Sequence, residues 1–247
     1  MEIRSEYVEL KVSDGTTMQA WTARPVDGGS LPGLLVFQEA FGVNAHIRDI
    51  TQRFAREGFV AIAPELFHRT GAGFEGSYDA FPTTVPHMNA LQDDQTEADH
   101  RAALGWLTAQ GVTEGRIGAV GYCMGGRAAF LAGLTLPIGC ATSYYGGGIA
   151  PRGNNPGLLT RAKELRCPVL LLWGSLDKHL TQDQVRAVRD ALSDAGKSFI
   201  NVEISDADHG FFCDARASYN PTAAAEAWPL TLTFLRLHTA QAAAANR

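Results

Sequence analysis

A cysteine set among glycines is the first residue of this chain that reads as chemistry. Cys123 lies in Gly121-Tyr122-Cys123-Met124-Gly125-Gly126, directly after the apolar run Ile117 to Gly121 and directly before a helix-forming stretch. A strand that turns abruptly into a helix through G-x-C-x-G has the layout of a nucleophile elbow, with sulfur in place of oxygen. Glycines flank the nucleophile because side chains would clash in so sharp a turn, while the nucleophile is held strained and exposed at the helix N-terminus. That helix end favours an anion such as a thiolate. Taken alone, the five-residue pattern also fits an ordinary strand-to-helix turn.

Acyl transfer needs a base within reach of the nucleophile and a carboxylate that fixes the base's tautomer. In elbow-bearing sheets these follow the nucleophile in the order acid, then histidine. Asp177 closes the run Val169 to Leu176, past the end of an apolar strand, and His209 sits in Asp206-Ala207-Asp208-His209-Gly210-Phe211, past the next one. Each alone reads as a turn former or a surface residue; the three in this order read as a Cys123, Asp177, His209 triad. Asp183 falls at an expected helix start, where capping explains it, and Asp206 and Asp208 lie too close to His209 in the chain. His46, His68, His87, His100, His179 and His238 belong to no comparable motif and default to surface or satisfied core positions. A tetrahedral oxyanion needs two backbone donors. Met124, after the nucleophile, and Ala40, in Gln38-Glu39-Ala40-Phe41-Gly42 after an earlier strand, are the candidates, although the second segment also fits a plain strand-to-loop turn.

The elements that must position these residues follow from periodicity. Tyr7 to Val12 and Met18 to Arg24 alternate around an Asp14-Gly15 turn and predict an opening antiparallel pair. Apolar runs at Leu34 to Phe37, Val60 to Ala63, Ile117 to Gly121, Cys140 to Tyr144, Val169 to Trp173 and Ile200 to Ile204 predict strands buried on both faces. Helices are expected over Ile47 to Glu57, Thr96 to Ala109, Gly125 to Leu134, Gln182 to Ala195 and Ala223 to His238, the last kinked or delayed by Pro229. This alternation predicts an α/β chain with a mostly parallel, doubly wound sheet flanked by helices, binding ligands beyond the carboxyl ends of its strands. Thr70 to Asp94, rich in Gly, Pro and polar residues, reads either as a lid or as a plain excursion loop, and residues 240–247 read as a frayed tail.

Composition narrows the function classes. The 247 residues, 45% hydrophobic, suit one domain spanning 1–247. A net charge of -5 with dispersed arginines argues against nucleic acid. Met1 to Val12 lacks a signal-peptide pattern and no apolar run is long enough to span a membrane, so a cytoplasmic protein without membrane association is expected. Cys123, Cys140, Cys167 and Cys213 show neither C-x-x-C pairing nor compact spacing with histidine, so no metal site or disulfide scaffold is expected, and the last three read as buried hydrophobes.

The motifs together resemble the dienelactone hydrolase (carboxymethylenebutenolidase) family of the α/β-hydrolase superfamily over nearly the whole chain. The resemblance rests on Gln38-Glu39-Ala40-Phe41-Gly42-Val43-Asn44, Ala63-Pro64-Glu65-Leu66-Phe67, Gly121 to Gly126, Tyr144-Tyr145-Gly146 and His209-Gly210-Phe211. It implies an α/β-hydrolase fold and hydrolysis of a small ester or enol-lactone, which can be anionic, without cofactor or metal. It also implies that Glu39 neighbours the thiol, that Arg69 helps hold a substrate carboxylate, and that Tyr145 and Arg216 contribute to the substrate site. From the residues alone, Glu39 equally reads as partner of a nearby arginine and Arg69 as a solvated loop cation. The family's best-known lactonase pattern carries an arginine a few residues after the histidine. Here Phe211, Phe212, Cys213 and Asp214 intervene before Arg216, and Arg216 with Tyr219 looks like a broader variant of the family. A non-catalytic ligand binder and a redox sensor centred on Cys123 are the rival classes, and the sequence leaves substrate and oligomeric state open.

Overall fold

In a computed structural model describing residues 1–153 and 155–240, one eight-stranded sheet runs in the order β1-β2-β4-β3-β5-β6-β7-β8. β1 (Ile3–Lys11) and β2 (Thr17–Pro25) form the expected antiparallel pair, and β2 joins β4 (Val60–Pro64) antiparallel. β3 (Gly33–Phe37), β5 (Ile117–Tyr122), β6 (Cys140–Tyr144), β7 (Val169–Gly174) and β8 (Phe199–Ile204) pair parallel with their neighbours and with β4. Every residue of β3 to β7 is buried, the signature of strands covered on both faces, whereas β8 at the edge is only half-buried.

The covering helices are α1 (Ala45–Arg56), α4 (Asp93–Ala109), α5 (Met124–Thr135), α6 (Gln182–Asp194) and α7 (Pro221–Thr239). Asn44 caps α1 by accepting from the Ile47 amide at 3.2 Å, and Ile47, Ile50 and Phe54 form its buried face. Thr181 and Gln184 form a capping box on α6, so the cap belongs to Thr181. Asp183, expected there, stands in the first turn paired with Arg186. Pro229 does not delay α7, which starts at Pro221 behind an Asn220 cap and runs through it. The 70–94 segment carries the end of the short α2 (His68–Gly71) and all of α3 (Val85–Ala90). Of the expected frayed tail, residues 241–247 lie outside the described residues. No described helix is long and apolar enough to cross a membrane.

The chain winds leftward from β3 to β4, then crosses to β5 and continues rightward, so its direction reverses between β3 and β5. Register sets Phe37 beside Gly121, and the loops leaving these two strands open the crevice where doubly wound sheets bind ligands. The crossing from β5 into α5 leaves no space: a Cβ on Gly121 would lie 1.8 Å from the Gly125 carbonyl oxygen, and one on Gly125 would lie 2.4 Å from the carbonyl oxygens of both Phe37 and Gln38. These are backbone obstacles that cannot rotate away. Gly125→Ala is therefore expected to cost about 3 kcal/mol or more, a fall in Tm of roughly 6–12 °C. Gly105→Ala in α4, where nothing lies within 4 Å, should instead stabilise by about 1 kcal/mol. Thermal unfolding of both variants checks the pair, and equal effects would contradict this account of the crossing.

Candidate active site

Cys123 occupies the crossing between β5 and α5 with φ 57 and ψ -120, a conformation that costs a non-glycine residue about 1–3 kcal/mol. Its amide donates to the Tyr144 carbonyl at the end of β6 at 3.0 Å, and packing of the flanking glycines holds the turn from the other side. The side chain is partly exposed, unlike Cys140, Cys167 and Cys213, all buried; all four thiols are free. Met124 opens α5, so its amide is among the first-turn donors that no helical carbonyl can reach. Ala40 lies three residues beyond Phe37, in the loop whose Gln38 carbonyl abuts Gly125.

Asp177 follows β7 and His209 follows β8. His209 Nδ1 lies 2.7 Å from Asp177 Oδ2, and Asp177 Oδ1 accepts from the His179 and Leu180 amides at 2.7 and 3.1 Å. Burial opposes charge on Asp177, but the hydrogen bond and charge of His209 and these two amides prevail, holding the carboxyl below its usual range. An ionised carboxylate only accepts, so Nδ1 is the donor and Nε2 is left for the sulfur. His209 is only 7% exposed. Burial disfavours its cation, yet negative charge on Cys123, hydrogen bonds to Asp177 and Cys123, and the Asp177 charge together raise it to about 10. His179, at 5.1 Å between ring centroids, is held below its ordinary value by burial and by the charge on His209.

These groups face a cavity of about 540 Å³. Cys123, Met124 and His209 form one wall; Phe41, Tyr78, Phe81 and Met88 give it an apolar side; Arg152, Arg216, Asn89, Asn155 and His179 bring polar groups. Four of these come from residues 70–94, so that segment covers one side of the cavity rather than looping away from it. Phe81, Met88, Asn89, Arg152 and His179 belong to no motif, although His179 lies two residues after Asp177 and shares its turn.

The residues implied by resemblance separate. Arg216 lines the cavity, donates to Glu39 Oε1 at 3.1 Å, and its charge is favoured, against burial, by Glu39 and Cys123. Glu39 is therefore an arginine partner. Tyr145 is fully buried with a left-handed φ of 39, its ring 5.0 Å from that of His209; it backs the imidazole and is not among the cavity-lining residues. Arg69 is placed elsewhere altogether. Its guanidinium donates to Asp99 at 2.8 and 2.9 Å and to Asp14 at 2.6 and 2.9 Å, and it does not reach the cavity. The expected anion-binding role for Arg69 is corrected accordingly, because two carboxylates already occupy its fork.

Comparison with known proteins agrees with this architecture. Residues 18–239 match the Dienelactone hydrolase family. A relative from Synechocystis sp. named "Putative carboxymethylenebutenolidase" is 37% identical over 237 residues, covering 92% of this chain and 94% of its own length. One of the same name from Escherichia coli K12 is 34% identical over 229 residues, 91% and 84% of the two chains. A crystal structure from Klebsiella pneumoniae described as a "Putative Dienelactone Hydrolase" superposes with a TM-score of 0.87 at 33% identity, covering 95% of this chain and 99% of that one.

Two outcomes follow from the electrostatics. Asp99 is fully buried and burial raises its pKa even against Arg69, so Arg69→Ala should destabilise by about 3 kcal/mol, the range seen when one partner of a buried pair is removed. Raising a carboxyl's folded pKa gives stability that is present at low pH and lost as pH rises, so this deficit should widen between pH 4 and 8 in denaturant titrations; a deficit independent of pH would contradict it. His209, with a folded value of about 10 against an ordinary 6.5, contributes stability that is complete below pH 6.5 and lost as pH rises through 10. Its imidazole resonances should accordingly stay in the protonated form from pH 5 to 8 in NMR spectra, and Cys123→Ala should lower the midpoint. A wild-type midpoint near 6.5 would sink the charge coupling.

Proposed function

Because this chain belongs to the dienelactone hydrolase family and is a hydrolase on the α/β-hydrolase fold, we propose that it cleaves small carboxylic esters or enol-lactones with Cys123 as nucleophile, His209 as acid and base, and Asp177 as orienting carboxylate. The observation that carries this reading is the His209 ring: buried, held by Asp177 at 2.7 Å and electrostatically coupled to Cys123 at the wall of the cavity. A ligand binder needs no such coupling.

In this reading the sulfur attacks the carbonyl carbon and the electron pair moves onto the carbonyl oxygen, where the Ala40 and Met124 amides stabilise it. Collapse expels the alkoxide or enolate, which takes the proton from His209 Nε2 and leaves a thioester on Cys123. A water molecule, deprotonated by the now neutral imidazole, attacks the thioester; the acid departs and the imidazolium and sulfur anion are restored. Asp177 holds the ring in the tautomer both half-reactions need. Arg216 and Arg152 supply the positive charge of the cavity, which favours substrates carrying a carboxylate near the scissile bond.

Assays with p-nitrophenyl acetate, simple lactones and dienelactone test the assignment. Cys123→Ala should abolish turnover with the fold intact, Cys123→Ser should lose most of it because a hydroxyl needs stronger base assistance, and Asp177→Asn should lose less than His209→Asn. Undiminished hydrolysis by Cys123→Ala would remove the nucleophile from consideration. For selectivity, Arg152→Ala should lower kcat/KM for an anionic ester by roughly 1.5-fold to fivefold, as suits an exposed charge, leaving its neutral methyl ester almost unchanged. Equal loss on both esters would show damage rather than selection.

A further inference from the structure

One cluster beside the cavity enters that chemistry only through the contact of Glu39 with Arg216. Glu39 from the loop after β3, His46 from the first turn of α1 and Cys213 from the segment before α7 each present one ligand atom, and these atoms all lie within 4.8 Å of one another. The side chains come from residues 1%, 5% and 0% exposed. Among the described residues, Glu39 Oε2 and His46 Nε2 are buried without a hydrogen-bond partner, and His46 Nδ1 meets only Asp214 Oδ1, at 3.4 Å. Buried polar atoms without a partner are costly and rare, and two at one point, one on a carboxylate and one on an imidazole, call for a shared partner. We propose that Glu39, His46 and Cys213 form a zinc site.

The donor set selects the ion. A thiolate with an imidazole and a carboxylate suits zinc, whereas magnesium and calcium take oxygen ligands. Ligand atoms on a tetrahedral zinc with bonds of about 2.0–2.3 Å stand roughly 3.3–3.8 Å apart, so side-chain shifts of about 1 Å close the site. On binding, the Cys213 S–H bond breaks, its proton leaves to solvent and the sulfur lone pair goes to the ion, so two anionic ligands balance the dication.

Groups around the cluster are placed as outer partners of the ligands. Arg216 holds Glu39 Oε1 at 3.1 Å and leaves Oε2 for the ion. Asp214 Oδ1 lies 3.4 Å from His46 Nδ1, leaving Nε2 as ligand. Tyr78 has its hydroxyl 3.3 Å from Cys213 Sγ and would donate to the thiolate once the thiol proton has left. The ion would tie the β3 loop, α1 and the segment before α7 together, and through Glu39 it would fix Arg216 at the cavity wall.

Full-length protein loaded with zinc and desalted should retain about one ion per chain by elemental analysis. Replacement by cobalt should give thiolate-to-cobalt charge-transfer absorption in the near ultraviolet. Both signals should persist in Cys123→Ala and disappear in Cys213→Ser and His46→Gln, with circular dichroism confirming that the variants fold. No retained metal and no charge-transfer band in the wild type would mean the cluster holds water only and would overturn the site. Loss of the band in Cys123→Ala would do the same by placing the metal on the nucleophile, and that arm decides the matter even if Cys213→Ser fails to fold.

Discussion

Backbone carbonyls crowd the crossing between β5 and α5 so tightly that Gly121 and Gly125 have no room for a Cβ. Cys123, the residue between them, is pressed into a positive φ, and this close approach sets where everything else in the site must stand. The Gly125 contact is with Phe37 and Gln38, so the end of β3 is locked to the elbow and carries Ala40 and Glu39 with it. The opposite side is fixed by β6, whose Tyr144 carbonyl accepts from the Cys123 amide. Strain of about 1–3 kcal/mol at one residue is sustained because β3, β5 and β6 are buried along their whole length and cannot relax without opening the core.

Charge is then distributed around a sulfur whose position is not negotiable. Burial alone would leave His209 neutral and Asp177 protonated, and each is pushed the other way by its partner. The two backbone amides on Asp177 Oδ1 matter because they stabilise the carboxylate without adding a competing cation. His179, the adjacent imidazole, is disfavoured as a cation by burial and by the charge on His209. Arg216 donates to Glu39, and its charge is favoured by Glu39 and Cys123, which puts a permanent cation on the cavity wall.

How much of this was legible in the sequence depends on whether a signal is local. The buried strands were readable as short apolar runs, and β6 spans Cys140–Tyr144 as expected, because burial on both faces removes polar positions from the pattern. The placement of Cys123, Asp177 and His209 at one end of the sheet was readable, because each follows such a run and strand ends share one edge of a parallel sheet. Arg69 was not, since a cation past a strand end looks the same whether it meets a ligand or, as here, carboxylates 30 and 55 residues away. His46 carries no local signal, because only tertiary packing brings Cys213, from beyond β8, to its side. The helical turns within 70–94 lack the length over which a 3.6-residue period can be recognised.

The same distinction separates the chemistry from the selection of substrate. The wall that carries Cys123 and His209 rests on strand ends, where geometry is rigid. The facing wall comes from 70–94, and it is joined to the β3 loop at defined points: the Gly76 amide donates to the Phe41 carbonyl at 3.0 Å, the Phe41 and Tyr78 rings lie 4.5 Å apart, and Gly42 takes φ 79 where a Cβ would strike the Phe74 carbonyl oxygen. Phe41 thus belongs to both walls, and its neighbour Ala40 supplies an amide beside the elbow. Substitutions at Phe81, Met88 or Asn89 can reshape the pocket without touching that join, whereas a change at Phe41 or Gly42 is carried directly into the loop that flanks Cys123. A fold built this way can vary its substrate on one side of the cavity while the crossing that holds the sulfur stays unchanged.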